Sequence, residues 1–221
     1  MLPRVMSRIL VWLLLANVAG AADPLSGLPV EVGHRWTYDC VSKNGDIRHP
    51  EVSRWTATIT VREQIPTEEG LVVVRSVTLD GAANPPGGWR WAKVPWLVRG
   101  DCVYPLYPEG WDARKRAFTP GFSAYIKEIS PMFCFPLRTG ATWKGAGDWE
   151  WTVEGTGPTS QGPWDIGTNA FRLKSQQSGS TEYVWFRQGI GPVASWSWHN
   201  GTYTEGFEKL RRHPAPLPAH P

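Results

Sequence analysis

Large aromatic residues two positions apart recur along this chain: Trp36/Tyr38, Trp89/Trp91, Trp149/Trp151, Tyr183/Trp185 and Trp196/Trp198. In an extended strand that spacing puts both members of a pair on one face, whereas neighbours on a helix face are three or four apart. A chain that uses the device five times is committed to β-structure with an aromatic face. The clearest stretch is Thr181 to Tyr203, which reads as two strands joined at Gly189-Ile190-Gly191, then Asn200-Gly201, a dipeptide suited to a type I′ hairpin turn.

The same period continues elsewhere. Trp36, Tyr38 and Cys40 face one way, and Asn44-Gly45 then offers a tight turn. Trp55, Ala57, Ile59 and Val61 alternate with Arg54, Thr56, Thr58 and Thr60, one face buried and one wet. Leu71 to Leu79 is β-branched on both faces, as suits a strand covered on both sides. Trp149, Trp151 and Val153 face inward, opposite Glu150, Thr152 and Glu154, and Phe171 and Leu173 alternate with Arg172 and Lys174. Between these ordered parts, residues 81–136 hold a Gly/Pro loop and strands interrupted by Pro95 and Pro105. They also hold the sole candidate for a helical turn, Ser123 to Ile129. The expectation is a mainly β fold, a strongly curved antiparallel sheet with an irregular, Pro-rich middle segment.

The chain opens with Arg4 and Arg8, a short apolar run and Ala19 and Ala21 at the −3 and −1 positions of a cut, the plan of a secretory signal peptide. The run is too short for a membrane anchor, which needs about 20 apolar residues. Residues 1–21 are therefore read as a signal peptide, 22–211 as one β domain and 212–221 as a disordered Pro-rich tail, with the mature protein periplasmic or secreted. Full-chain charge is 23 basic against 20 acidic residues, and removing Arg4 and Arg8 leaves 21 against 20. So balanced a domain has no electrostatic claim on nucleic acid or an anionic membrane surface.

Export to an oxidising space permits one disulfide among Cys40, Cys102 and Cys134. Cys102 and Cys134 flank the least regular part of the chain, where a covalent staple closes a loop, and this is the expected pair, with Cys40 a buried thiol on a strand. The two bridges through Cys40 remain open at this point, since pairing depends on close Cα approach.

Fourteen tryptophans, thirteen after Trp12 leaves with the signal, need a cause. Most serve as core, each burying about 150–250 Å². The sharper reading has some lining a groove for an apolar or ring-shaped ligand. Trp89, Trp91, Trp96 and Trp111 border the irregular middle, and Trp185 and Trp196 lie in the Thr181–Tyr203 stretch. These six are the candidate ligand-binding residues, with a lipid or other small apolar molecule as partner; a carbohydrate platform is a variant of the same idea.

Catalytic patterns are thin. The five histidines show no metal-ligand spacing, so no metal or cofactor is expected. Gly121-Phe122-Ser123-Ala124-Tyr125 has Tyr125 where a nucleophile elbow needs its second glycine. Carboxylate pairs such as Asp101 with Glu109 or Asp148 with Glu150 keep glycan hydrolysis as an alternative. A structural interaction module without a pocket is another.

Pro136-Leu137, Gly140 and Trp143, then Gly167-Thr168-Asn169-Ala170-Phe171, then Trp185-Phe186 and Gly189-Ile190-Gly191 with a final strand ending at Leu210, carry a resemblance. On these residues the later half resembles a family of uncharacterised exported bacterial proteins of the lipoprotein-localisation-factor-like class. Arg187-Gln188 and Pro192 depart from that pattern. The resemblance implies an unclosed half-barrel wrapped around an apolar cavity, and a non-enzymatic binding or envelope-associated role. It supplies no catalytic residue.

Overall fold

A computed structural model describes residues 27–81, 95–106, 129–145, 149–157, 169–177, 179–199 and 204–212. The expected signal peptide, residues 123–128 of the candidate helical turn, the expected Asn200-Gly201 turn and residues 213–221 of the expected tail lie outside them, whereas Arg212, expected in the tail, ends a strand.

Period-two segments become strands wherever their β-branched and aromatic residues can cover a pleated surface. The first half gives β1 (Arg35–Asp46), β2 (His49–Thr67), β3 (Gly70–Asp80), β4 (Trp96–Arg99), β5 (Cys102–Pro105) and β6 (Phe133–Cys134). The second half gives β7 (Thr142–Lys144), β8 (Glu150–Thr156), β9 (Phe171–Gln177), β10 (Ser180–Arg187), β11 (Gly191–His199) and β12 (Thr204–Arg212). All twelve form one antiparallel sheet in the order β6-β5-β4-β3-β2-β1-β12-β11-β10-β9-β8-β7. Two meanders thus run outward from a central β1–β12 pairing.

This order forces curvature. The outermost strands, β6 and β7, are consecutive in sequence, separated by residues 135–141 alone. Laid flat, twelve strands would hold their edges about 53 Å apart at ~4.8 Å per spacing. Seven linking residues reach at most about 28 Å. The sheet must therefore curl until its edges approach, yet among the described residues β6 and β7 do not pair, and the result is an unclosed half-barrel.

The concave face carries the main core. Trp36, Tyr38 and Cys40 of β1 meet Trp55, Ala57, Ile59 and Val61 of β2, and Val153, Leu173, Val184 and Phe186 close from the other half. Across the curl, the Phe133 ring of edge strand β6 lies 5.6 Å from Phe186 and 6.4 Å from Trp151, and Trp36 lies 6.3 Å from Trp96. Val73 joins this core, while its neighbour Val72 joins Ile65, Leu97 and Leu106 on the opposite face. That is the two-sided burial expected of β3.

Cys102 and Cys134 are bridged, directly opposite each other on β5 and β6, and Cys40 is a buried free thiol on β1. One expected turn is displaced. Asn44 and Gly45 lie within the β1–β2 ladder, and the chain reverses at Ile47-Arg48, between the paired Asp46 and His49. The Asp46 carboxylate accepts the Arg48 backbone N–H at 2.8 Å, an Asx-type bond that fixes the reversal there. The Gly189-Ile190-Gly191 junction falls where expected, between Arg187 and its partner Gly191. Gly191 has φ +95°, and a Cβ there would stand 3.0 Å from Leu28 and 3.3 Å from the Trp36 indole nitrogen, so the position needs glycine twice over.

Candidate functional site

The curl leaves a cavity of about 200 Å³ between the concave face of β8, β10 and β11 and the segment that carries β6. Tyr38 lies on one side, Trp149 and Trp151 on the other. Glu182 and Val184 form the wall from β10, Pro192, Ala194 and Ser195 from β11, and Met132 and Phe133 lie across the space. Among the described residues the lining is chiefly apolar, and Glu182 is its one charged residue.

Glu182 belongs to a lateral row that crosses the sheet. The register places Ser53 opposite Ser42, Ser42 opposite Gly206, Gly206 opposite Ser197, Ser197 opposite Glu182, Glu182 opposite Ser175, and Ser175 opposite Trp151. Residues opposite one another share a face, so the carboxylate is flanked by small hydroxyl residues. At Gly206 a Cβ would stand 2.9 Å from the Ser197 hydroxyl, so the row is narrowest there. Ser175 is fully buried and its hydroxyl has no hydrogen-bond partner among the described residues. Burial pushes the Glu182 carboxyl up from 4.5 to about 7, with desolvation as the cause. The residue is half-buried by exposure and keeps some solvent contact, so the environment is apolar without being sealed.

The six tryptophans singled out from the sequence are placed differently. Trp89, Trp91 and Trp111 lie outside the described residues. Trp96 is buried in the main core, with the Arg75 guanidinium 3.5 Å above its ring, and is not part of the cavity lining. Trp185 and Trp196 are on the opposite face from the cavity. Along β10 the cavity takes Glu182 and Val184, so the intervening Tyr183 and the following Trp185 point the other way. There Tyr183 lies 5.9 Å from Trp185 and 5.8 Å from Trp196, in a cluster with Ala170 and Val193. The Trp196 indole N–H donates to Glu205 at 3.1 Å, and Glu205 pairs with Lys43 at 3.0 Å.

The tryptophans that do line the cavity are Trp149 and Trp151, which the sequence marked as an inward pair, and Trp143 stacks on Trp151 at 6.3 Å. Glu182 escaped the sequence reading because Tyr183 and Trp185 dominate its strand. Its parity with Val184 and Phe186 was the available signal.

A scan against protein-family models finds no match, and a search of curated proteins finds none. Among solved structures, the chain is similar to a "putative exported protein with YmcC-like fold" from Bacteroides fragilis, with 13% identity and a TM-score of 0.40 over 86% of this chain and 99% of that one. It is also similar to a "putative lipoprotein" from Parabacteroides distasonis, with 13% identity and a TM-score of 0.35 over 83% and 96%. Likeness at this level carries no argument about this chain, whose fold rests on its own strand order and register.

Proposed function

We propose that this is an exported, non-enzymatic binding protein that holds a small apolar ligand in the cavity between the concave sheet and β6. The observation that carries the reading is a space of about 200 Å³ bordered by Tyr38, Phe133, Trp149, Trp151 and Val184 on the concave side of the sheet. Packed interiors keep few voids of this size. It exceeds the ~150 Å³ that accommodates benzene and falls short of the ~300 Å³ at which drug-sized sites begin. The occupant is then one ring or the end of a short acyl chain rather than a whole lipid. The Cys102–Cys134 bridge supports an oxidising, extracytoplasmic location. Glycan hydrolysis works through two carboxylates, and among the described residues the lining holds one, Glu182.

Native mass spectrometry of the protein purified from its own host, with extraction of what co-purifies, tests the reading. A stoichiometric small apolar molecule, lost in Val184→Trp, is the expected result. An unliganded mass that does not shift when short-chain fatty acids or aromatic compounds are added would overturn it.

A further inference from the structure

The ligand's chemical class can be taken further, resting on the binding reading above. From the Glu182 wall we infer that the cavity takes a compact apolar ligand bearing one cationic ammonium group. Among the described residues, Glu182 is the one charged residue of the lining and its carboxylate has no hydrogen-bond or ion-pair partner. Its row neighbours, Ser175 and Ser197, carry no charge that could compensate it. A carboxylate without a protein partner in an otherwise apolar lining is half of a polar contact, open to a ligand that brings the other half.

The missing half is a donor, and a positive one. A carboxylate accepts from an ammonium group, which has three donors and no acceptor. The Trp149 and Trp151 indoles in the same lining are groups to which a cation is attracted. An anionic ligand would meet Glu182 with like charge and, among the described residues, no lining Arg or Lys. The buried Arg75 guanidinium is stacked on Trp96 outside this lining. The volume restricts the apolar body to about one ring.

Calorimetric titration of the purified full chain at pH 8 with benzylamine, benzyl alcohol and benzoate separates charge from shape. Benzylamine is expected to bind about tenfold tighter than benzyl alcohol. Glu182→Gln is expected to erase that preference, and a circular dichroism spectrum matching the wild type's shows that the variant is folded. Equal binding of amine and alcohol, an amine preference that survives Glu182→Gln, or a preference for benzoate would overturn the inference and leave the cavity reading standing. If none of the three probes binds, both fall.

Discussion

Tyr38 donates its hydroxyl to the carbonyl of Pro192 at 2.9 Å, across 154 residues of sequence. Two positions earlier the Trp36 indole donates to the carbonyl of Ile190 at 2.7 Å. Both bonds reach past β12, the strand between β1 and β11, and hold the first strand to the β10–β11 connection. Pro192 also borders the cavity, so the two bonds set the position of one wall.

Tyr38→Phe removes one of these bonds while keeping the ring. The orphaned carbonyl is part-buried, and the expected loss is about 1 kcal/mol, or roughly 2–4 °C in Tm for a domain of this size. Urea unfolding should show a lower midpoint at unchanged slope. A midpoint equal to that of the wild type would mean the bond contributes nothing net.

The cysteine arrangement is checked by thiol counting. Cys40 is 2% exposed and the other two cysteines are bridged, so the native protein should present no reactive thiol and the denatured, unreduced protein one. Replacing Cys102 and Cys134 together by serine opens a loop closed across a 32-residue separation. The expected cost is about 2–4 kcal/mol, read from the guanidinium midpoint. Three thiols after unfolding would instead show that the bridge is absent.

Stability should depend on pH through Glu182. Its carboxyl is raised in the folded state from 4.5 to about 7, so the folded protein holds a proton there that the unfolded chain has released. This contribution is fully present below pH 4.5 and is lost as pH rises through 7. Among the described residues, the groups facing Glu182 are Ser175, Ser197, Trp151 and Tyr38, and His199 follows on the same face at the exposed end of β11, while Lys174 lies on the other face. Partial solvent contact screens the effect, leaving about 1–3 kcal/mol between pH 4.5 and 8. The wild-type stability should fall relative to Glu182→Gln across that window. Parallel curves would show that the carboxyl is not desolvated.

Much of this architecture was legible from period two alone. The alternations Trp36/Tyr38/Cys40, Trp55/Ala57/Ile59/Val61 and Trp149/Trp151/Val153 say which side chains share a face, and those sets do share one. The Cys102–Cys134 pair followed from where a staple closes the most irregular loop. The Ile47-Arg48 reversal was less visible, because an Asx bond from Asp46 fixed the turn where Asn44-Gly45 had the stronger local signature.

What strand periodicity lacks is a sign. It groups Tyr183 with Trp185 and Glu182 with Val184, but either pair fits the concave side equally well as far as the strand itself is concerned. That choice was made by the curl, which the short link between β6 and β7 imposes and which only the pairing order of all twelve strands reveals. The sequence therefore determined the strands, their alternation and the bridged cysteines through local physics. The tertiary structure decided that the conspicuous Trp185 and Trp196 pack on the outer face while a single glutamate, unremarked in its strand, faces the cavity.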